Sequence, residues 1–330
     1  MKKNYYSGID ISKKTLDIVI YDPPTQKAKI QMKVKNNQKG YNDMLDAFIQ
    51  NGISISDVFI CLEHCGIYGL ELGCFLEEKQ VMFCFCSPLL IKKTMGLIRG
   101  KSDPLDAYKI AKFCYLYRDE LHASKMPTSV MLEIKTLIAE RNRLVKAHKV
   151  EKQVLTDLHS QLSEATLKRT KQRKSLLNSD IKAVEKEIIS LVQVQTEIKT
   201  NFDLLKTIPG IGLINAVMMI LCSNNFNGIT NARAFACYCG VAPFEHTSGT
   251  SVKGKTRVSH FANKRMKADL TNAARSAIVH DPETRKYYLR KKAEGKAYGI
   301  IVNAVKFKLI TRAFAVINRR TPFVVLRKAG

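Results

Sequence analysis

Residues 5–12 read Tyr-Tyr-Ser-Gly-Ile-Asp-Ile-Ser, an apolar run interrupted by one acid, Asp10. Aromatic and β-branched residues in a run of this length are typical of a buried strand. A carboxylate without a partner is costly in such a strand, so packing alone does not explain Asp10. The run therefore predicts the first strand of a sheet that carries a functional acid.

The segments after this run predict a βββαβαβα order. Residues 15–22 and 28–35 predict two more strands, separated by a stop at Asp22-Pro23-Pro24. The other predicted elements are helices over about 38–51 and 68–80, strands over 57–63 and 81–86, and helices after Pro88 and from 103. This order is that of an RNase H-like fold, in which the first and fourth strands are neighbours. We therefore expect an α/β N-terminal domain of this class.

Three more acids are expected to join Asp10 at one end of the sheet. Glu63 ends the fourth predicted strand, and Asp103 and Asp106 stand at the start of a predicted helix. Carboxylates are suitable ligands for Mg²⁺, and two such ions can assist both oxygens in phosphoryl transfer. The alternatives are a surface role for Glu63 and helix capping by Asp103 and Asp106 around Pro104. Asp17 is expected to be an ordinary surface residue of the second strand.

The chain is strongly basic. Its 330 residues include 54 Lys and Arg against 29 Asp and Glu, for a net charge of +25. This excess indicates a polyanionic partner, most simply nucleic acid, although a basic but otherwise ordinary protein is the alternative. The net charge is +3 for residues 1–122, +6 for 123–200 and +16 for 201–330. We therefore expect most nucleic-acid contacts in the last part and the acidic metal site in the first.

The cysteines and the hydropathy favour a reducing cytoplasm and no membrane. The nine cysteines include no pair of CxxC motifs. No signal peptide precedes the first strand, and no apolar run approaches the roughly 20 residues needed to span a bilayer. The pairs Cys84/Cys86 and Cys237/Cys239 have a spacing outside the usual zinc patterns, so we expect small core residues there.

Residues from about 128 to 200 predict long helices with a coiled-coil pattern. Apolar side chains recur at a spacing of three and four, with Gln195 as a polar interruption. These side chains are Leu155, Leu158 and Leu162 on one arm and Ile181, Val184, Ile188, Leu191 and Ile198 on the other. The basic stretch 167–174 is expected at the tip of two antiparallel helices, or in an oligomerisation stalk. A plain solvated hairpin is the alternative.

The C-terminal part is predicted to be mainly α. Residues 209–212, Pro-Gly-Ile-Gly, resemble a helix-hairpin-helix element whose backbone N–H groups approach a phosphate, although a tight interhelical turn explains them equally well. Residues 248–255 are expected to form a flexible basic loop, followed by helices over about 262–279 and 298–318. On the local sequence alone, Ser248 and Ser251 in that loop are expected to be flexible or phosphate-bonding rather than catalytic.

Four blocks of residues, in order, resemble the DEDD transposases of the insertion-sequence one-ten family. The blocks are 8–12 with Asp17, 61–68, 101–107 with 110–111, and 209–212 through 240–243 to 248–249. Each block is modest, but their order, spacing and total length together are specific. The resemblance extends over nearly the whole chain.

The resemblance implies a three-part organisation and a site for each part of the reaction. It implies a RuvC-like, RNase H-fold domain over 1–122, a coiled coil over 123–200 and a C-terminal transposase domain over 201–330. The metal-binding quartet would be Asp10, Glu63, Asp103 and Asp106, holding Mg²⁺, as two ions. Ser248 would be the nucleophile that forms a covalent link to DNA, with Ser251 as the second choice. Arg257, Lys264 and Arg265 lie near that serine in the sequence and are candidate phosphate clamps, although solvated surface charge explains them equally well.

The resemblance also implies the partners and the reaction. The partners would be donor and target DNA, a non-coding guide RNA from the element's own end, and further copies of the chain in a dimer or tetramer. Residues 257–264 lack the glycine often found in that stretch of the family. We expect an RNA-guided DNA recombinase that moves an insertion sequence. The competitors are a nuclease similar to Holliday-junction resolvases, with water as nucleophile, and a non-catalytic nucleic-acid-binding protein, which the intact quartet argues against.

Overall fold

The computed structural model describes residues 3–64, 66–94, 103–248 and 252–324. The chain divides into two compact units, Met1–Met126 and Pro127–Gly330. No helix among the described residues is long and apolar enough to cross a bilayer. The cysteines in the described ranges are all free thiols.

The first unit is built on a five-stranded mixed sheet. Its strands are β1 (Tyr5–Ile11), β2 (Thr15–Asp22), β3 (Lys27–Lys35), β4 (Val58–Glu63) and β5 (Met82–Cys86). Their spatial order is β3-β2-β1-β4-β5. The first three strands are antiparallel, whereas β1, β4 and β5 run parallel. The predicted strands are confirmed, as is the expectation that the first and fourth are neighbours.

Helices cover both faces of this sheet. They are α1 (Gln38–Gln50), α2 (Leu70–Glu78), α3 (Pro88–Thr94) and α4 (Asp103–Leu116). The face that carries Ile9 and Leu62 packs on buried side chains of α1 and α2, including Phe48 and Phe75. The opposite face packs on α4, because alternate strand residues point to opposite sides. The sheet therefore has a buried core on each side.

Cysteines form part of the core beneath α4. Cys61, Cys84 and Cys86 are buried with Cys114, and the Sγ atoms of Cys84 and Cys86 lie 3.7 Å apart. The expectation that Cys84 and Cys86 are core residues is confirmed. Cys239 is also buried, and its neighbour Cys237 is half-buried against the core of the second unit.

The second unit is helical with one added β-hairpin. Its elements are α5 (Ser129–Asp157), α6 (Glu164–Val194), α7 (Thr196–Lys206), α8 (Leu213–Ser223), α9 (Ala232–Tyr238), β6 (Pro243–Ser248), β7 (Val252–Val258), α10 (Lys264–His280), α11 (Pro282–Ala293) and α12 (Tyr298–Arg319). The antiparallel strands β6 and β7 correct the expectation of a flexible loop over 248–255. The apolar and polar residues from Phe244 onward fit a hairpin, but the glycines and serines near its tip obscured this pattern.

The long helices α5 and α6 pack antiparallel. Arg141 Nε lies 2.6 Å from Glu185 Oε1, and Arg173 Nε lies 3.0 Å from Glu151 Oε1, so the pairing runs in opposite directions along the two helices. Gln195 lies at the break between α6 and α7 in an extended conformation. It accepts a hydrogen bond from Thr128 at the start of α5.

The basic stretch 167–174 is not the tip of this hairpin, contrary to expectation. The connection is formed by residues 158–163, and the stretch lies within the first turns of α6. The Ser163 side chain accepts from Thr166 N and so starts the helix before the basic residues. Thr170 in the middle of the stretch is buried.

The base of the long helices shares one core with the C-terminal helices. Ile134 and Ile188 belong to the same buried cluster as Leu270 of α10 and Leu309 of α12. Residues 127–324 therefore pack as a single unit in the described structure. A functional division at residues 122 and 200 stays a prediction.

The Pro-Gly-Ile-Gly segment forms a tight turn between α7 and α8. Gly210 has φ +93°, where a side chain is strained, and a Cβ there would lie 2.6 Å from Ala273 O of α10. This glycine is therefore explained by close packing against α10. Phosphate binding by the turn stays a prediction.

Candidate active site

Two of the four predicted acids lie side by side on neighbouring strands. The parallel register pairs Ile9 of β1 with Leu62 of β4, so the next residues, Asp10 and Glu63, occupy adjacent positions. Strand alternation turns both acids toward the sheet face that α4 covers. The sequence patterns placed both residues correctly, because each ends or nearly ends a continuous apolar strand.

The other two acids reach this place through α4. Asp103 and Asp106 both lie in the first turn of that helix. A Cβ at Gly8 of β1 would lie 2.5 Å from Ala107 O and would overlap Ala111 N, so α4 rests directly on the backbone of β1. The first turn of α4 is thereby held next to Asp10.

The acids lie close enough to influence one another electrostatically. Burial raises the pKa of Asp10, and the negative charges of Asp103, Asp106 and Asp17 raise it further. Burial likewise raises the pKa of Glu63, with additional contributions from Asp10 and Asp106. The structure thus brings the four predicted acids together, and their role as metal ligands stays a prediction.

Asp17 is a fifth acid of this cluster, which corrects the expectation of a surface residue. It is only 5% exposed and is the cross-strand partner of Asp10. The available signal was its position inside an apolar strand, the same signal that singled out Asp10. Its carboxylate is paired with Lys33 Nζ at 2.9 Å.

Two lysines form ion pairs with these acids, and the sequence analysis did not predict a role for either lysine. Lys33 Nζ lies 3.6 Å from Asp103 Oδ2 in addition to its contact with Asp17. Lys109 Nζ lies 2.7 Å from Asp106 Oδ1, one helical turn away. The i,i+3 spacing signalled the second pair. The first pair depends on the register of β3 against β2, which places Lys33 opposite Asp17.

The carboxylate oxygens of the four acids are suitable ligands for a hard cation. In this structure they are spaced more widely than the ligand atoms around a bound ion. Four carboxylates with mutual repulsion are the oxygen donors that divalent Mg²⁺ favours. Among the described residues, only Cys61, Cys84 and Cys86 form a set of three whose ligand atoms all lie within 4.8 Å of one another. Lys33 and Lys109 neutralise two of the acids in this arrangement.

The predicted nucleophile lies in the second unit. Ser248 is the last residue of β6, and its backbone pairs with Val252 of β7. Ser251, like residues 101 and 102 of the third sequence block, lies outside the described residues. Of the predicted phosphate clamps, Arg265 is engaged by Asp269 at 3.0 Å and by Asn142 at 2.5 Å. Lys264 is the first residue of α10, and Arg257 belongs to β7.

Two family models match the chain. Residues 7–166 match a DEDD transposase model of the IS110 type, described as a transposase, and residues 202–289 match the transposase IS116/IS110/IS902 family. The first match contains all four acids, and the second contains Ser248. Together they cover about three quarters of the chain.

Similar proteins come from several bacteria. The pilin gene-inverting proteins of Moraxella bovis and Moraxella lacunata are each 24% identical over 324 residues, which span 96% of this chain and 97% of each relative. The insertion element IS110 uncharacterized 43.6 kDa protein of Streptomyces coelicolor is 27% identical over 126 residues. That match covers 38% of this chain and 31% of the relative.

A mixed sheet that gathers acids beside a covering helix, in a chain that matches two transposase models, defines an enzyme that acts on DNA. The chain belongs to the IS110 family of DEDD transposases. Membership implies DNA cleavage and recombination, and it implies dependence on a divalent metal ion.

Proposed function

We propose that this protein is an RNA-guided DNA recombinase that moves an insertion sequence by cutting and rejoining strands. The observation that carries the proposal is the gathering of Asp10, Glu63, Asp103 and Asp106 at one end of the sheet in a chain of net charge +25. An acidic cluster is useful to a DNA-binding protein when a metal ion neutralises it.

The fold supports a RuvC-like, RNase H-fold assignment for residues 1–122. Three antiparallel strands followed by two parallel ones, in the order β3-β2-β1-β4-β5, are what that assignment requires. The antiparallel pair of α5 and α6 supports a coiled coil over 123–200. The remaining residues, 201–330, would be the transposase domain.

The quartet would hold two Mg²⁺ ions. When bound, they would neutralise the carboxylates and promote attack on a phosphodiester. Burial, and then the neighbouring negative charges, raise the pKa values of Asp10 and Glu63, which is consistent with a site that a cation would neutralise. Lys33 and Lys109 would then act as internal counter-ions that keep the site folded in the absence of metal.

Ser248 would be the nucleophile, with Ser251 as the second choice. Its Oγ would attack a DNA phosphorus, forming a phosphoserine ester and releasing a DNA hydroxyl that receives the displaced proton. The hydroxyl of another strand would then attack the ester, rejoin DNA and restore the serine. The phosphoester keeps the bond energy, so this exchange needs no ATP.

The partners follow from the charge and from the family. We propose donor and target DNA, a guide RNA from the element, and a homo-oligomer, either a dimer or a tetramer. Residues 201–330, with a net charge of +16, would supply most of the phosphate contacts. Because DNA is the substrate, the reaction would take place in the bacterial cytoplasm.

A search for a covalent protein–DNA adduct on a denaturing gel tests this function. The protein is incubated with Mg²⁺, element-end DNA and RNA transcribed from the element's flank. We expect an adduct with the wild type and with the control variant Ser259→Ala. In the wild type the Ser259 hydroxyl accepts a hydrogen bond from Phe261 N, so this serine is not the proposed nucleophile. The adduct should be absent with Ser248→Ala and with Asp10→Ala.

Three outcomes would change the assignment. DNA cleavage without an adduct would favour the resolvase-like nuclease that uses water. An adduct that survives in Ser248→Ala would move the nucleophile, first to Ser251. Neither cleavage nor adduct, with DNA binding retained, would favour a non-catalytic binding protein.

A further inference from the structure

A large groove opens in the second unit, at the foot of the β-hairpin. Its volume is about 1450 Å³. One side is formed by Pro243 and Val258, the residues that pair where β6 begins and β7 ends. The opposite side is α12, including Ile300, Asn303 and Phe307. Asn303 Nδ2 donates to Val241 O at 2.8 Å and so ties α12 to the segment leading into the hairpin.

A largely buried lysine lines this groove. Lys306 is only 6% exposed, and within the described part of the chain no side chain forms an ion pair with its ammonium group, which is not among the buried polar atoms that lack a partner. Burial lowers the pKa of Lys306, and the nearby charge of Lys267 lowers it further. Two lysines close together, one of them buried, are unfavourable unless an anion joins them.

Several basic side chains line the groove. Arg233, His260, Lys267 and Lys308 line it together with Lys306, and no acid is among the described lining residues. Lys308 is already held by Glu283 at 2.5 Å. Lys306 and Lys267 line the same groove and lie close enough for their charges to interact, so together they form a basic pair suited to receive a phosphate.

The rest of the lining is apolar and aromatic. Tyr287 and Phe307 line the groove, and Phe307 is 37% exposed although it lies on a helix packed into the core. Ile300 is 63% exposed on the same helix. Aromatic and apolar faces beside cations are suited to unpaired bases, which stack on such side chains at a gain of about 1–3 kcal/mol each.

We propose that this groove binds an unpaired segment of nucleic acid, with a phosphate on Lys306 and Lys267 and bases against Phe307 and Tyr287. The proposal rests on the function proposed above and names the form of substrate handled by the second unit. A base pair within a duplex does not present its faces, so a duplex cannot use the aromatic wall. The volume exceeds the roughly 300–1,000 Å³ of small-molecule sites, which fits a segment of more than one nucleotide.

The groove lies at the base of the hairpin that carries the proposed nucleophile. The hairpin that carries Ser248 starts at Pro243, so the groove and the proposed nucleophile lie on the same two strands. At a rise of about 3.3 Å per residue, Ser248 is about 16 Å from the foot of the hairpin. An unpaired strand held in the groove is thereby kept next to the hairpin.

Fluorescence anisotropy with labelled oligonucleotides tests the proposal. The full chain is titrated with a single-stranded DNA, the same sequence as RNA, and the corresponding duplex. Lys306→Met should weaken single-strand binding about tenfold and reduce the salt slope by about 0.7, the value for one phosphate contact. Duplex binding should be unchanged. Lys286→Met, an exposed lysine on α11 outside the groove, is the matched control and should leave all affinities unchanged.

A second variant distinguishes the contribution of base stacking from that of the lysine charge. Phe307→Ala should weaken single-strand binding about tenfold while leaving the salt slope unchanged, because stacking releases no counter-ions. A stronger effect on the DNA or on the RNA oligonucleotide would tell which strand occupies the groove. Circular dichroism checks that both variants are folded.

Two results would overturn the proposal. One is unchanged single-strand affinity in folded Lys306→Met and Phe307→Ala. The other is an equal reduction in duplex affinity, which would make the groove part of a general basic surface. If the variants behave as expected but no adduct is ever found, the groove stands and the proposed recombinase function fails. If the adduct forms but these variants bind normally, only the groove assignment fails.

Discussion

Gly8 of β1 lies directly against the backbone of Ala111 in α4. A Cβ at Gly8 would overlap Ala111 N and would also come within 2.5 Å of Ala107 O. No side chain separates the helix from the strand at this point, so the first turn of α4 lies beside Asp10. The gathering of the four acids depends on this close contact.

Gly8→Ala should therefore damage both the fold and the site. The methyl group meets backbone atoms that cannot rotate away, so we expect a decrease of about 1–3 kcal/mol or more in the free energy of unfolding. Urea denaturation measures it. Gly299→Ala is the control, since Gly299 is an exposed helical glycine with nothing within 4 Å of its added Cβ. Equal stability of Gly8→Ala and the wild type would contradict the close packing.

Asp10→Asn should separate stability from activity. Because burial and neighbouring acids raise the pKa of Asp10, its charged form destabilises the metal-free protein at neutral pH. The variant should unfold at the same or a higher temperature in EDTA. It should lack the rise in midpoint that Mg²⁺ gives the wild type, and cleavage should fall more than about a hundredfold.

The exposed acid Asp43 of α1 offers the control for this experiment. Asp43→Asn should keep both the Mg²⁺-dependent shift and the cleavage. An Asp10→Asn protein that is strongly destabilised in EDTA would show instead that Asp10 has a structural role.

Lys33→Met should make the first unit depend on metal for its stability. The substitution removes the partner of the buried Asp17 and of Asp103, leaving the acids without that counter-charge. The unfolding midpoint in EDTA should fall, and Mg²⁺ should restore part of it. Lys35→Met, two residues away on the same face of β3, is the control. Identical midpoints for the two variants would show that Lys33 does not stabilise the acids.

The second unit contains a buried ion pair whose contribution to folding stability should be lost at acidic pH. Arg312 Nη1 lies 2.7 Å from Asp281 Oδ2, whose side chain is 1% exposed. Although burial raises the pKa of Asp281, hydrogen bonds from Thr284 and Arg312 outweigh that effect and hold the pKa below its ordinary value of 3.8. The stabilisation is therefore complete above about pH 3.8 and disappears as the pH falls through the lower pKa of the folded state.

Arg312→Met should cost about 3–5 kcal/mol at neutral pH, because it leaves the Asp281 carboxylate buried without its cation. The difference from the wild type should shrink as the pH is lowered below about 3.8. Arg290→Met, which removes an exposed pair with Glu294, should have little effect. Thermal unfolding across the pH range provides the measurement. A constant difference between Arg312→Met and wild type at all pH values would contradict the role of Asp281.

The start of α6 should contribute to RNA binding. Lys168 and Lys171 are exposed one turn apart, whereas Arg173 in the same stretch is occupied by Glu151. Replacing both lysines with Gln should weaken RNA binding and lower the salt slope by about 0.7 for each phosphate that is no longer neutralised. The same change at Lys182 and Lys186, exposed farther along α6, is the control. An unchanged slope would remove the stretch from the RNA interface.

Several parts of the site followed from local patterns. The apolar runs that end near Asp10 and Glu63 predicted strands, and the helix beginning at Asp103 placed two acids in its first turn. Other parts depended on pairing. The sequence predicts a surface position for Asp17, whereas the pairing of β2 with β3 sets Lys33 against it in the structure. The hairpin that carries Ser248 was missed because the sequence near its tip is rich in glycine and serine.

Strands, acids and the excess of positive charge can be predicted from the chain alone, because apolar periodicity and residue type are local properties. How these features combine depends on the three-dimensional fold. The contact between Gly8 and Ala111 joins residues about a hundred positions apart, and no local signal marks it. The groove around Lys306 likewise depends on residues from several elements of the second unit. Such sites are fixed by long-range packing, which decides which side chains are buried together.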